Sequence, residues 1–295
     1  MKKTVFTGAG VAIVTPMYED GTVNYDVFGQ LLEDQIRNGT DAIIACGTTG
    51  ESATLSHEEH VQVLDFAIRK TNKRVPVIAG TGSNDTAYAL ELSLEAQKAG
   101  ADALLMVTPY YNKTSQAGLI RHFTCVADRV DLPIILYNVP SRTGCNIKPE
   151  TCLELSKHPN IVAVKEACGD ISAVADIAAL CGDDLAIYSG NDDQIVPVLS
   201  LGGKGVISVL SNILPRETHE ICELFFQGDA EGSRRKMLKY LELIHALFSD
   251  VNPIPVKEAM NLMGMQVGPC RLPLVEMSEN GKKHLEEVLK KYSLL

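Results

Sequence analysis

The sequence predicts an α/β protein, a (β/α)8 TIM barrel followed by a C-terminal helical subdomain. Short β-branched runs alternate regularly with longer amphipathic stretches, and eight such units fit within the 295 residues of the chain. Most of the runs are apolar on both faces, as is typical of parallel strands covered by helices. We therefore expect the barrel over residues 1–228 and the helical subdomain over residues 229–295.

The eight predicted strands are the short apolar runs, in chain order. They are residues 11–16, 41–47, 75–80, 103–108, 133–138, 161–166, 185–189 and 205–209. The helices between them include 57–71, 85–99 and 115–130. Ser56 forms a predicted capping box with Glu59, Asn84 precedes the next helix, and Gly100 ends it.

Four helices are predicted after the last strand, over residues 216–227, 232–248, 255–263 and 279–292. The first of them closes the eighth unit, and the others form the helical subdomain. A doubly wound sheet is the alternative fold, but the glycine-rich turn that it requires is missing. Gly8 and Gly10 lack a third glycine, and the Gly202–Gly205 run precedes a strand instead of following one. That placement also argues against a phosphate-binding barrel.

The charge balance limits the possible partners. A formal net charge of −10 argues against nucleic acid and disfavours binding to anionic membranes. No apolar run is long enough to span a bilayer, and the interrupted N-terminal run reads as a first strand, not as a signal peptide. The eight cysteines include no Cys-x-x-Cys pair, as is typical of reduced thiols. We expect a cytoplasmic protein.

Polar and aromatic residues follow several of the predicted strands. In a barrel of this type the carboxyl ends of the strands form one rim, where active sites lie. The strand ends in question are Cys46-Gly-Thr-Thr-Gly-Glu-Ser52, Thr108-Pro-Tyr-Tyr-Asn112, Tyr137-Asn-Val-Pro-Ser-Arg-Thr-Gly144, Val164-Lys-Glu166 and Ser189-Gly-Asn191. Their convergence predicts a site for a small polar substrate.

Lys165 stands inside the apolar run 161–166. With a period of two, Ile161, Ala163 and Lys165 share one face, and the small Ala163 suits the barrel interior. Burial would disfavour the ammonium form, leaving a neutral amine able to form a Schiff base with a ketone. The alternative is a strand-end lysine that reaches solvent or pairs with a carboxylate.

Other residues of the rim suit Schiff-base chemistry. Tyr137, at the end of the adjacent strand, can act as acid and base. Alternatively, Tyr137 is a core residue whose hydroxyl is hydrogen-bonded within the protein. Thr48 and Thr49 offer hydroxyls and backbone N–H groups to a carboxylate, or are ordinary turn residues. Arg142 can clamp a second carboxylate, or is simply a solvated loop arginine.

These motifs together resemble the class I aldolase family of dihydrodipicolinate synthase and N-acetylneuraminate lyase. The resemblance covers essentially the whole chain. Its motifs are Gly47-Thr-Thr-Gly-Glu51, Gly80-Thr-Gly82, Thr108-Pro-Tyr-Tyr-Asn112, Tyr137-Asn-Val-Pro140, Ser141-Arg-Thr-Gly144, Val164-Lys-Glu166 and Gly205-Val-Ile-Ser-Val209. Seven motifs in the same order, each near a strand end, are specific.

The resemblance implies catalytic roles for four residues. Lys165 would form an imine with pyruvate, and Thr48, Tyr137 and Tyr111 would form a proton relay. Tyr111 would reach the site from a neighbouring subunit. The implied reaction condenses pyruvate with L-aspartate 4-semialdehyde in the diaminopimelate route to lysine, without a metal or organic cofactor. A homotetramer built as a dimer of dimers is implied, with a dimer as the alternative.

Three further residues have implied substrate-binding roles. Thr49 and the backbone of Ile207 would hold the pyruvate carboxylate, and Arg142 would bind the carboxylate of the semialdehyde. The arginine favours a synthase over relatives that cleave sialic acid, since a polyhydroxyl aldehyde would need hydroxyl partners. A barrel that has lost catalysis is the rival class, but a binding protein has no need of a neutral amine.

An effector site for lysine is also implied at the subunit interface. The matching residues are Ser52, Ala53, His57, His60, Asn84 and Tyr110. Tyr88 stands where the family has an acidic residue that pairs with the amine of the effector. We therefore expect weak or absent inhibition by lysine. Alternatively, His57 and His60 form a histidine pair on a solvated helix face.

Overall fold

The computed structural model describes residues 2–295, and eight parallel strands form a closed barrel in it. Each strand is hydrogen-bonded to the next in sequence order, and the eighth is bonded to the first. The strands are β1 Gly8–Ala12, β2 Ala42–Ala45, β3 Val77–Gly80, β4 Ala103–Val107, β5 Ile134–Asn138, β6 Ile161–Glu166, β7 Ala186–Ser189 and β8 Gly205–Ser208. The predicted fold class, a TIM barrel with a C-terminal helical subdomain, is confirmed.

Helices follow the strands and cover the barrel. They are α1 Tyr25–Arg37, α2 His57–Thr71, α3 Thr86–Ala99, α4 Gln116–Ala127, α5 Pro140–Thr143, α6 Pro149–Ser156, α7 Ile171–Cys181, α8 Ile195–Ser200, α9 Pro215–Phe226, α10 Ala230–Lys239, α11 Leu241–Leu247, α12 Ile254–Leu262 and α13 Glu279–Lys291. The last four helices form the C-terminal subdomain, whose boundary at residue 228 stays a prediction. No helix within residues 2–295 is long and apolar enough to cross a membrane.

Local sequence signals account for the helix ends. The capping box before α2 is present: the Ser56 hydroxyl accepts from the Glu59 N–H, and the Glu59 carboxylate accepts from the Ser56 N–H. Helix α3 starts one residue later than predicted, because the side chain of Asp85, and not that of Asn84, caps it. Gly100 ends α3 in the left-handed conformation, as predicted.

Two predicted elements differ from the structure. The first strand starts three residues earlier than predicted, and the apolar run continues past the end of β1, where the Val14 N–H donates to the Asn212 side chain. The helix predicted over 232–248 is two helices, α10 and α11, which meet at Tyr240. The Tyr240 side chain is buried there, and its ring lies 5.6 Å from that of Tyr292.

The barrel interior is filled by its own cluster of side chains, separate from the larger core under the helices. The predicted alternation along β6 is wrong at its start, because the register with β5 shifts after Ile161. Ile161 therefore belongs to the outer core, whereas Val162 and Ala163 both belong to the inner cluster. From Ala163 onward the alternation is regular, so Lys165 has the inward phase that the sequence predicts.

Candidate active site

Strand β6 places Lys165 one residue before its carboxyl end. Its register partners are Tyr137 on β5 and Tyr188 on β7. The lysine is only 6% exposed, and its Nζ lies 4.3 Å from the centre of the Tyr137 ring. No carboxylate within residues 2–295 lies within salt-bridge distance of it. This lysine therefore neither reaches bulk solvent nor forms an ion pair in the described chain.

Two aromatic side chains, Phe6 and Tyr188, pack against each other in the barrel interior. The rings of Tyr188 and Phe6 are stacked with their centres 4.4 Å apart. The Tyr188 hydroxyl donates to the Phe6 carbonyl at 2.6 Å, and burial raises the pKa of this phenol. Both side chains are buried and belong to the cluster that fills the barrel interior.

A cavity of about 180 Å³ opens from Lys165 toward the rim. It brings together five of the predicted residues, namely Lys165, Tyr137, Thr48, Thr49 and Arg142. Its further lining residues are Ala12, Ile44, Gly47, Leu105, Val139, Ser141, Ala167, Gly190, Asn191, Val209, Phe248 and Asn252. The volume and the mixture of apolar walls with a few polar groups suit a small polar ligand.

Of the seven predicted catalytic and substrate-binding residues, two do not line this cavity. Ile207 is fully buried in the barrel interior, with its backbone paired to Gly10 of β1. Tyr111 is 90% exposed and has a left-handed backbone, with φ of 69°. Its implied role requires a second subunit, so this role stays a prediction.

The loop after β2 carries Thr48 and Thr49 in a strained turn. The residues that flank it, Cys46 and Glu51, both have φ of 54°, a conformation that non-glycine residues adopt at a cost. Backbone hydrogen bonds close the turn, from Glu51 to the Thr48 carbonyl and from Gly50 to the Gly47 carbonyl. Such strain persists only where surrounding contacts hold it, and it concentrates at functional sites.

A buried ion pair holds this loop against the C-terminal subdomain. The Glu51 Oε1 and Lys257 Nζ atoms are 2.8 Å apart, and the side chains are 1% and 2% exposed. Lys257 also donates to the carbonyls of Thr15, at 3.2 Å, and Pro269, at 2.5 Å. The second carboxylate oxygen accepts from the Arg271 N–H at 2.8 Å. Every charged atom of the pair is therefore hydrogen-bonded.

Asn252, just before α12, is a wall residue that the sequence reasoning missed. Its Nδ2 donates to the Thr49 hydroxyl at 3.0 Å, and its backbone carbonyl accepts from Arg142 at 3.2 Å. The sequence pattern points to residues at strand ends, and Asn252 lies between α11 and α12. The one signal in the sequence is the Asn252-Pro253 pair, which stands just before a predicted helix.

The ends of β6 and β7 pack closely around the lysine. A methyl group on Gly190 would lie 3.1 Å from the Lys165 side chain and 2.6 Å from that of Ala167, so only glycine fits there. Beside Lys165 on the strand, Glu166 is buried, which raises its pKa, and its carboxyl group accepts from the Asn138 side chain at 2.9 Å. Asp192, whose pKa is also raised by burial, accepts backbone N–H groups at the end of β8.

Contacts are present at several positions of the implied effector site. The rings of His57 and Tyr88 lie 5.9 Å apart, and Asn84 accepts a hydrogen bond from Asn112. His60 is buried, its Nε2 is 2.8 Å from the Gly80 carbonyl, and burial lowers its pKa. The alternative of a solvated histidine pair is therefore wrong for His60. The remaining positions, Ser52, Ala53 and Tyr110, are at least partly exposed.

Comparison with known proteins gives a consistent result. A family model described as the Dihydrodipicolinate synthetase family matches residues 5–292. Two relatives named 4-hydroxy-tetrahydrodipicolinate synthase are similar over 99–100% of both chains. One, from Lachnoclostridium phytofermentans, is 61% identical, and the other, from Acetivibrio thermocellus, is 57% identical.

A solved structure is also similar to this chain in fold. The chloride-inhibited dihydrodipicolinate synthase from Acinetobacter baumannii, complexed with pyruvate, has a TM-score of 0.97 and 43% identity. The match covers 99% of this chain and 100% of that chain. The chain therefore belongs to the dihydrodipicolinate synthetase family.

Proposed function

We propose that this chain is a 4-hydroxy-tetrahydrodipicolinate synthase, a class I aldolase-type lyase of diaminopimelate and lysine biosynthesis. Its substrates are pyruvate and L-aspartate 4-semialdehyde. The observation that carries the proposal is the Lys165 amine, buried and without a salt bridge in the described chain, at the base of a cavity with two threonines and a tyrosine. The names of the close relatives support the same activity.

The first half-reaction is imine formation. The Lys165 amine attacks the keto carbon of pyruvate, and water leaves the carbinolamine as the protonated imine forms. Tyr137 and Thr48 lie within the same cavity and supply the proton transfers that this step requires. The Thr49 hydroxyl and the backbone of its turn bind the pyruvate carboxylate. Loss of a methyl proton then converts the imine to an enamine.

The second half-reaction forms the carbon–carbon bond. The enamine carbon attacks the aldehyde of the semialdehyde, whose oxygen takes up a proton to become the 4-hydroxyl group. Arg142, exposed at the mouth of the cavity, binds the second carboxylate. The amino group of the new chain then attacks the imine carbon and displaces Lys165, which closes the ring. One water is released overall, and the lysine is regenerated.

Two roles remain, and that of Tyr111 depends on assembly. The exposed Tyr111 completes the proton relay of a neighbouring subunit, and the backbone of Ile207 assists at the pyruvate carboxylate. A tetramer built as a dimer of dimers, located in the cytoplasm, is part of the proposal. Sedimentation analysis tests the assembly: a monomer with full activity at assay concentration would rule out a shared Tyr111.

Borohydride trapping tests the proposed reaction. The protein is reduced in the presence of pyruvate and digested, and the adduct is located by peptide mass mapping. We expect a pyruvyl adduct on Lys165, absent from Lys165→Ala and retained in Lys204→Ala, which alters a lysine at the opposite end of the barrel. Addition of the semialdehyde should then release product in unreduced samples. An untrapped wild-type protein would support the non-catalytic barrel instead.

A further inference from the structure

Asn252 contacts both proposed carboxylate-binding residues. Its side-chain amide donates to Thr49, and its backbone carbonyl accepts from Arg142. The residue is buried, lines the cavity, and comes from the C-terminal subdomain and not from a barrel strand. Within residues 2–295, no other residue of the cavity lining is hydrogen-bonded to both Thr49 and Arg142.

The direction of the amide bond to Thr49 determines what the hydroxyl can do. A threonine hydroxyl has one proton and two lone pairs. Because the Asn252 Nδ2 fills one lone pair, the proton of Thr49 remains free to be donated elsewhere. Within the described chain this hydroxyl makes no further hydrogen bond, and Thr49 borders the cavity. A hydroxyl held in this way can donate its proton to an anion bound in the cavity.

Only one end of the Asn252 side-chain amide is hydrogen-bonded within residues 2–295. Its Oδ1 is buried and has no hydrogen-bond partner within residues 2–295. An unpaired buried acceptor destabilises a fold, and native proteins rarely keep one without a functional reason. The bond to Thr49 is therefore the one hydrogen bond that the Asn252 side chain makes within residues 2–295.

We infer that Asn252 is a positioning residue that fixes the Thr49 hydroxyl as a donor to the pyruvate carboxylate. The inference rests on the proposed function, since it presupposes that pyruvate binds at Thr49. The contact with Arg142 uses the Asn252 backbone, so side-chain variants separate the two substrates. Loss of the amide acts on pyruvate, whereas the semialdehyde site keeps its support.

Two variants test the direction of the bond. Asn252→Ala removes the donor and should raise the half-saturating pyruvate concentration for borohydride trapping roughly three- to tenfold. Asn252→Asp keeps the shape but accepts the Thr49 proton and places a negative charge beside the pyruvate carboxylate. It should raise that concentration more than about tenfold at neutral pH. The loss should shrink as the pH falls, because a protonated carboxyl group donates again.

Asn261→Ala is the matched control. Asn261, on α12, bonds the Gly268 backbone twice and contributes nothing to the cavity lining. Its loss should lower the melting temperature and leave the pyruvate concentration dependence within about twofold of wild type. The KM for the semialdehyde should change by less than about twofold in both Asn252 variants, since the Arg142 contact is retained.

The outcomes separate this inference from the proposed function. If the wild type forms the Lys165 adduct but Asn252→Asp binds pyruvate as the wild type does, the positioning role is wrong and the synthase assignment stands. The same conclusion holds if Asn252→Ala alone is impaired, since that result indicates packing. If the wild type forms no adduct, the proposed function fails before the variants are compared.

Discussion

Lys257→Met measures how firmly the C-terminal subdomain holds the loop after β2, which carries Thr48 and Thr49. The substitution keeps most of the side-chain volume but removes the ammonium that neutralises Glu51 and bonds the Thr15 and Pro269 carbonyls. The Glu51 carboxylate would then stay buried with one remaining donor, the Arg271 N–H. Breaking a buried ion pair from one side costs about 3–5 kcal/mol. We expect a loss of that size in the free energy of unfolding.

The assay is urea unfolding followed by circular dichroism, at one fixed protein concentration because assembly changes apparent stability. Lys282→Met is the control. Its partner Glu258 lies 2.7 Å away, but the lysine is half-exposed, so the loss should stay below about 1 kcal/mol. The double variant Lys257→Met with Glu51→Gln should recover part of the loss, because no uncompensated charge remains. If Lys257→Met and Lys282→Met were equally stable, the buried pair would not hold the loop.

Three further predictions concern specificity, regulation and pH. Arg142→Ala should raise the semialdehyde KM about tenfold or more and leave the pyruvate KM nearly unchanged in steady-state assays. Lysine should inhibit weakly or not at all, and Tyr88→Glu should strengthen inhibition about ten- to a hundredfold. The hydrogen bond with Asp41 raises the pKa of His219 above 6.5. The unfolding free energy of wild type should therefore exceed that of His219→Gln at about pH 6 and converge with it as pH rises through the raised pKa.

Each of these predictions has a contradicting result. An equal rise in both KM values would remove Arg142 from semialdehyde binding. Potent, micromolar inhibition of the wild type by lysine would contradict the effect assigned to Tyr88. For His219, the sign matters: a stability advantage that grows with rising pH would mean that the folded state does not favour the imidazolium form.

The barrel and its lysine were predictable because both depend on short-range patterns. Alternating strands and helices indicate the architecture, and a period of two along residues 163–165 is enough to aim Lys165 inward. The shift at Ile161 was not predictable, since it depends on which β5 residue is opposite. A bulge depends on the partner strand and leaves no mark on the composition of its own strand.

Contacts between distant segments were the main omission. Asn252 and Thr49 are separated by 203 residues in the chain, and Lys257 and Glu51 by 206. Periodicity describes the faces of one element, and it cannot indicate which loop a remote helix will touch. The sequence places Thr49 at the rim, but the position of the segment just before α12 determines the partner of its hydroxyl.

The position of α12 has a consequence for anyone who wants a smaller aldolase from this chain. Excision after α9 would keep all eight strands and the amine of Lys165. It would also delete the Asn252 amide that donates to Thr49, and it would leave the Glu51 carboxylate without its counter-ion, Lys257. A minimal catalyst must therefore extend at least through Arg271, or be redesigned with an apolar residue at position 51 and a new donor for Thr49.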